Sequence, residues 1–96
     1  MVKVEIYTLR TCPFCIKAKA LLDSKGVKYE DISVDNNPDL REKMKNRAGG
    51  RHTVPQIFID GYHVGGCDDL MAADRSGKLA RLLNNGGNGN NGPRAT

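Results

Sequence analysis

The sequence predicts a single α/β domain in which helices flank a four-stranded mixed sheet. Two observations support this fold class. Residues 2–34 have the pattern strand, helix, strand, and such a unit places its two strands parallel with a right-handed crossover. Further along, Asp60-Gly61 separates two short apolar runs, which is a strong signal for an antiparallel hairpin. A parallel βαβ unit followed by an antiparallel ββα unit therefore gives one mixed sheet.

The first half of the chain supplies the parallel unit. Apolar and polar residues alternate over residues 2–7, which is typical of a strand with one buried face. A helix is expected over residues 13–25, because Pro13 suits the first helical position and Gly26 suits the end of a helix. Residues 27–34 are rich in β-branched and aromatic side chains and predict the second strand.

The second half supplies another helix, the hairpin and the last helices. A helix is expected from Pro38 to about residue 47 or 48, with Asn37 as its N-cap. Its few apolar side chains predict weak packing at the edge of the domain. The continuous apolar run at residues 57–59 predicts a strand covered on both faces. After it we expect the partner strand at residues 62–64, a short helix over residues 68–73 and a last helical piece over residues 79–83.

Composition sets the limits of the domain and argues against several classes of function. Residues 1–83 can form the domain, whereas residues 84–96 are largely Asn and Gly and predict a disordered tail. The net charge is +4, but the chain has no Trp and no nucleic-acid recognition motif. No apolar run reaches the roughly 18 residues of a membrane span, and the N-terminus has no signal-peptide pattern. Three cysteines, an odd number, cannot make a closed disulfide framework, so we expect a cytoplasmic protein.

The motif Cys12-Pro13-Phe14-Cys15 lies between the first predicted strand and the first predicted helix. The free N–H groups of the helix N-terminus would point at the first sulfur and favour its thiolate form. The second sulfur lies one helical turn further on, close enough to close a small disulfide ring. This pattern predicts a redox-active dithiol.

Two other interpretations of this cysteine pair are open. Together with Cys67, His52 and His63, the pair could complete a zinc site, although zinc ligands usually come as two closely spaced pairs. The pair could also be two buried, inert thiols. Pro13 argues against inert thiols, because it fixes the turn that presents Cys12. We favour the redox interpretation.

Four local features resemble one family in their order and spacing. They are Cys12-Pro13-Phe14-Cys15, Thr53-Val54-Pro55, the strand-forming run of residues 56–59, and Gly65-Gly66-Cys67-Asp68-Asp69-Leu70. Together they resemble the glutaredoxins, specifically the small bacterial dithiol members, over residues 2–83. The resemblance implies a thioredoxin-like fold.

The resemblance also implies a binding site for glutathione. A cis peptide at Val54-Pro55 would face the Cys12 thiol, and the Val54 backbone would pair with the cysteine unit of glutathione. Two glycines before a helix N-terminus would let the γ-glutamyl end approach, and Asp68 could meet its ammonium group. Alternatively, Asp68 is only an N-cap, and both roles can hold at once. The glutathione-binding residues implied in this way are Phe14, Arg51, Thr53, Val54, Pro55, Gly66, Cys67 and Asp68.

The chain departs from the family pattern at two positions. Leu9 stands where relatives often carry a lysine for the glycine carboxylate of glutathione, and Arg51 is the candidate that replaces it. Phe14 stands where many relatives have tyrosine. It keeps an apolar wall and loses a hydroxyl group, so we expect little effect on the chemistry.

The function implied by the resemblance is glutathione-dependent reduction of protein–glutathione mixed disulfides and of protein disulfides, such as that of ribonucleotide reductase. Cys12 would attack and Cys15 would resolve, with glutathione as co-substrate, no metal, and the protein as a monomer. One alternative is a [2Fe–2S] carrier that uses Cys12 from two subunits and two glutathiones, and the stiffening effect of Pro13 argues against it. Another is an electron donor reduced by thioredoxin reductase, and the Gly65-to-Asp69 segment argues against that.

Overall fold

The structure, a computed structural model, describes residues 2–85. Strands and helices follow each other as the sequence predicts. The elements are β1 (Val4–Thr8), α1 (Pro13–Ser24), β2 (Glu30–Ser33), α2 (Pro38–Arg47), β3 (Gln56–Ile59), β4 (Tyr62–Gly65), α3 (Cys67–Ser76) and α4 (Lys78–Asn85). Among these helices, none is long and apolar enough to cross a membrane.

The four strands form one mixed sheet in the order β2-β1-β3-β4. β1 and β2 are parallel, and Glu5 of β1 lies opposite Glu30 of β2. β3 is antiparallel to both β1 and β4. The predicted fold class is therefore confirmed, including the parallel βαβ unit and the antiparallel hairpin.

Local signals in the sequence explain where the chain turns. Asp60 and Gly61 both have positive φ, 50° and 84°, which is the backbone geometry of a type I′ hairpin turn. The Asn37 side chain accepts a hydrogen bond of 3.1 Å from the backbone N–H of Leu40, so Asn37 is the N-cap of α2. The hairpin turn and the N-cap both confirm the predictions.

The sheet carries a hydrophobic core on each face. Val4 and Ile6 of β1 point to the face covered by α1, α3 and α4, as the alternation predicts. The expectation that β1 has only one buried face is wrong, because its other face is also covered. Tyr7 of β1 and Phe58 of β3 point to the other face, where Met44 of α2 is fully buried against them. β3 is buried along its whole length, which confirms that the run at residues 57–59 is covered on both sides.

A cluster of polar side chains, centred on Arg47, lies against the second core. Both terminal nitrogens of Arg47 donate to the carboxylate of Glu5, at 2.9 and 3.3 Å, and one also donates to the Tyr7 hydroxyl at 2.8 Å. The Arg47 guanidinium holds the pKa of Glu5 below its usual range. It also lies 4.1 Å from the centre of the Phe58 ring, and the ring of His63 stacks against Phe58 at 4.9 Å. The sequence gives no sign of this stack, because its members are far apart in the chain.

Several boundaries differ from the prediction. β2 begins at Glu30 rather than at residue 27, and the side chains of Val27 and Tyr29 pack on the first core ahead of the strand. α3 extends from Cys67 to Ser76, beyond the predicted residues 68–73. α4 continues to Asn85, two residues past the expected end of the domain at residue 83. The rest of the predicted tail, residues 86–96, lies outside the described residues.

Candidate active site

Cys12 is the N-cap residue of α1. Its backbone carbonyl accepts from the N–H of Ile16 at 3.1 Å, and its sulfur accepts from the N–H of Cys15 at 3.2 Å. Pro13 occupies the first turn of the helix, where its missing N–H is no loss. An N–H that donates to sulfur interacts more strongly with a thiolate than with a thiol. The geometry therefore makes Cys12 the thiol that the helix N-terminus stabilises as an anion.

Cys15 lies one turn inside α1 and has a different environment. It is only 1% exposed, whereas Cys12 is 8% exposed and lies next to Val54, one of the residues that line a groove. Burial, and after it the hydrogen bond with Cys12, raises the pKa of Cys15 to about 12. The two thiols thus differ in access and in their hydrogen bonds, which suits one attacking and one resolving cysteine.

The loop before β3 faces Cys12 across this groove. The Val54-Pro55 peptide is cis, and the Val54 carbonyl oxygen lies 3.9 Å from the Cys12 sulfur. Side chains hold the loop from behind. Arg41 donates to the His52 carbonyl at 3.2 Å, and Gln56 donates to the Thr53 carbonyl at 3.0 Å.

The groove has a volume of about 310 Å³. It is lined by Phe14, Arg51, Thr53, Val54, Pro55, Gly66, Cys67, Asp68 and Asp69. The first eight are the residues that the sequence singled out for ligand binding, and the structure brings all of them together. Asp69 is the lining residue that the sequence analysis left out of its binding set.

Asp69 organises the end of the groove at the N-terminus of α3. Its carboxylate accepts from the backbone N–H of Gly66 at 2.9 Å and from the Arg51 guanidinium at 3.0 Å. These two contacts, the backbone one first, hold the pKa of Asp69 below its usual range. The suggestion that Asp68 is an N-cap is wrong, because Gly66 is the N-cap residue and Asp68 lies inside the first turn of α3. The backbone N–H groups of Cys67 and Asp68 belong to that turn and have no partner within the helix.

Gly65 sits directly behind this carboxylate. Its φ is +121°, and a Cβ atom added there would lie 2.3 Å from Oδ2 of Asp69. A side chain is thus excluded both by backbone conformation and by contact. The capping bond from Gly66 to Asp69 requires glycine at position 65.

The third cysteine and the two histidines do not form a metal site. Over residues 2–85, no group of three or more His, Cys, Asp or Glu side chains is placed to hold a metal ion. Cys67 is buried, and burial raises the pKa of its thiol. His63 is instead hydrogen-bonded to Gln56, with 2.6 Å between Nε2 and Oε1.

Comparison with known proteins identifies the family. The family model for glutaredoxin matches residues 4–64, which include Cys12, Cys15 and the cis-proline loop. The chain belongs to the glutaredoxin family. It is 58% identical over 83 residues to glutaredoxin 3 of Escherichia coli strain K12, a match that covers 86% of this chain and 99% of the relative.

Solved structures agree with the family and the fold. The solution structure of glutaredoxin from Brucella melitensis matches with a TM-score of 0.76 and 53% identity, over 86% of this chain and 89% of that one. A crystal structure of a buckwheat glutaredoxin–glutathione complex matches with a TM-score of 0.78 and 32% identity, over 86% of this chain and 77% of that one. As a glutaredoxin, the protein is a thiol–disulfide oxidoreductase with a thioredoxin-like fold.

Proposed function

We propose that this glutaredoxin uses glutathione to reduce protein–glutathione mixed disulfides and protein disulfides through Cys12 and Cys15. The observation that carries the proposal is the groove beside Cys12, which has the backbone of the cis-proline loop on one side and the N-terminus of α3 on the other. Glutathione needs both, because it is a short extended peptide with a thiol and two carboxylates. The buckwheat relative, whose structure is of a glutathione complex, supports the same choice of ligand.

Each part of glutathione has a counterpart in the groove. The Val54 backbone would pair with the cysteine unit, whose sulfur then lies next to Cys12. The free N–H groups of Cys67 and Asp68 would bind the γ-glutamyl carboxylate, and the Asp68 carboxylate would bind the adjacent ammonium group. Thr53, Pro55 and Gly66 shape the walls, and Phe14, which is 59% exposed, forms an apolar rim.

Arg51 is the proposed partner of the glycine carboxylate. Its Nη1 is paired with Asp69 in the structure, and a guanidinium has five N–H donors, so other donors remain for a second carboxylate. Its Nη2 would lie 3.3 Å from a Cβ built on Gly66, which places this cation at the groove wall. Arg51 thus stabilises the capping carboxylate and offers positive charge to the ligand.

The reaction follows from the two thiols. The Cys12 thiolate attacks the glutathione sulfur of a glutathionylated protein, the protein leaves as a thiolate, and Cys12 becomes glutathionylated. A second glutathione thiolate attacks that glutathione sulfur, which forms glutathione disulfide and releases the Cys12 thiolate. With a protein disulfide, Cys12 forms a mixed disulfide with the client, and Cys15 then attacks the Cys12 sulfur and releases the reduced client. Two glutathiones reduce the resulting Cys12–Cys15 disulfide.

The proposal also covers the client proteins, the cellular compartment and the oligomeric state. Ribonucleotide reductase is a proposed client, since its disulfide is of the kind that Cys12 and Cys15 would reduce. We place the protein in the cytoplasm as a monomer, where a reducing glutathione pool would keep its three cysteines as thiols. Glutathione is the co-substrate, and no metal takes part.

The choice of reductant is the direct test. In an NADPH-coupled assay with a glutathionylated peptide, we expect turnover with glutathione and glutathione reductase, and background rates with thioredoxin reductase in their place. The reason is that the groove binds a γ-glutamyl peptide, whereas a reductase must dock a much larger surface. Equal or faster turnover with thioredoxin reductase would overturn the proposed glutathione dependence.

Asp68→Ala tests the γ-glutamyl end of the groove. We expect the KM for glutathione to rise while folding stays intact, because a charged hydrogen bond to the ammonium group is lost. The loss should be about 1–3 kcal/mol, towards the lower end because Asp68 is exposed. Steady-state kinetics at varied glutathione concentrations measure it.

Asp39→Ala is the matched control for Asp68→Ala. Asp39 also lies in the first turn of a helix, the second position of α2, but not in the groove. The Asp39→Ala variant therefore loses the same favourable interaction with a helix dipole as Asp68→Ala does. A KM for glutathione that changes equally in both variants, or in neither, would show that Asp68 does not contact the ligand.

A further inference from the structure

Gln56 is a fully buried polar residue behind the glutathione groove. It is the first residue of β3, its exposed fraction is 0%, and its amide bonds in two directions. On one side Nε2 donates to the Thr53 carbonyl at 3.0 Å and lies 3.4 Å from the Thr53 hydroxyl. On the other side Oε1 lies 2.6 Å from Nε2 of His63.

The orientation of this amide fixes the role of His63. If the amide were turned over, Oε1 would face the Thr53 carbonyl oxygen, and two acceptors would meet without a hydrogen. With Nε2 of Gln56 facing Thr53, Oε1 is a buried acceptor that needs a donor. His63 supplies it, so its Nε2 must carry a proton. Both the neutral Nε2–H tautomer and the charged ring satisfy this requirement.

The position of the His63 ring is determined independently of this bond. Its ring stacks on Phe58 with an interplanar angle of 27°, and the Arg47 guanidinium lies 4.1 Å from the centre of the same Phe58 ring. Burial first, and then the nearby Arg51 cation, lower the pKa of His63 below its usual value. The ring is thus held as a neutral donor whose direction is set by packing.

The geometry of the Thr53-Val54 peptide connects the Gln56 hydrogen bond to the groove. The Thr53-Val54 peptide is not among the cis bonds of the described residues, and in a planar trans unit the N–H points opposite to the carbonyl. Because Gln56 holds the Thr53 carbonyl towards the interior, the Val54 N–H points away from the interior, on the groove side. This N–H is the donor that an extended ligand beside Cys12 would use.

We propose that His63 is a positioning residue for glutathione, which acts through Gln56 and the Thr53 carbonyl to aim the Val54 N–H. The inference rests on the proposed use of glutathione. It assigns a binding role to a residue on β4 that does not line the groove.

Two substitutions at one position test the inference. His63→Phe keeps the stack on Phe58 and leaves Oε1 of Gln56 without a donor, whereas His63→Gln provides an amide N–H in its place. We expect His63→Phe to raise the KM for a glutathionylated peptide about 3- to 10-fold, the equilibrium factor of one neutral hydrogen bond, with kcat within about twofold. His63→Gln should restore most of the wild-type KM.

Tyr62→Phe is the matched control, with thermal unfolding midpoints measured for all variants. Tyr62 neighbours His63 on β4, its side chain points to the opposite face, and its hydroxyl bonds to Lys78 at 2.6 Å. It should leave the KM unchanged. A wild-type KM in His63→Phe, equal rises in His63→Phe and His63→Gln, or a KM that follows the unfolding midpoint in every variant would overturn the inference.

A measurement without glutathione separates this inference from the proposed function. Nitrogen-15 NMR of the wild-type protein should show His63 as the Nε2–H tautomer at neutral pH, and the Nδ1–H tautomer would contradict the inference. If the wild-type protein failed to turn over with glutathione while this tautomer was present, the proposed function would be wrong and the hydrogen-bond chain would remain. If the wild-type protein turned over and His63→Phe matched it, only the positioning role would be wrong.

Discussion

Cys12→Ser is expected to abolish both deglutathionylation and protein-disulfide reduction. Only the sulfur of Cys12 lies at the N-terminus of α1 and at the edge of the groove, where it accepts the Cys15 N–H. A serine hydroxyl in the same place is not ionised near neutral pH and cannot displace a thiolate. The expected rate is therefore that of glutathione alone, measured with a glutathionylated peptide and with a protein disulfide.

The control for Cys12→Ser is a measurement of folding, which should show that the inactive variant is still folded. Serine is itself a strong N-cap residue, so α1 should begin at the same place and the unfolding midpoint should not fall by much. Enzyme-dependent turnover of either substrate by a folded Cys12→Ser protein would show that another thiol can start the reaction.

Cys15→Ser is expected to separate the two activities. Deglutathionylation should persist, because free glutathione can attack the mixed disulfide on Cys12 directly. Protein-disulfide reduction should fall by about 10²-fold or more, since a resolving thiol in the same turn acts at an effective concentration far above that of millimolar glutathione. The same two assays measure both effects.

Alkylation of the wild-type protein checks the assignment of the two thiols. Because burial raises the pKa of Cys15 to about 12, Cys15 stays a thiol at neutral pH and should not react with iodoacetamide. Mass spectrometry should find the first adduct on Cys12.

If Cys15→Ser were as inactive as Cys12→Ser on the glutathionylated peptide, the monothiol route and these roles would both be wrong.

The features that the sequence could predict are those encoded by neighbouring residues. Asp60-Gly61 specifies its turn by backbone preference alone, Asn37 caps its own helix, and the alternation over residues 2–7 places Val4 and Ile6 on one face. The groove was predictable for another reason: all of its lining except Arg51 comes from three short motifs that resemble those of a known family. Every residue implied in this way lies in the lining.

The features that escaped prediction depend on contacts between distant segments. Asp69 and Arg51 are 18 positions apart, and nothing local in either segment indicates that one carboxylate serves both the Gly66 N–H and the guanidinium. Arg47 and Glu5 are 42 positions apart, and each charged residue, considered alone, would be expected at the solvent-exposed surface. Val27 has a strand-like side chain, but the register that places Glu5 opposite Glu30 would set Val27 opposite residue 2, before β1 begins.

The restriction at Gly65 has a consequence for protein engineering. Any attempt to make this enzyme accept a bulkier or differently charged thiol cofactor must alter the groove, and its two walls differ in how much change they tolerate. At position 65 every L-side chain meets the Asp69 carboxylate, and at position 66 a Cβ would already lie 3.4 Å from the Pro55 carbonyl oxygen. Arg51 and Thr53 on the facing wall are exposed and offer room for change. A library aimed at new cofactor specificity should therefore vary positions 51 and 53 and leave the two glycines untouched.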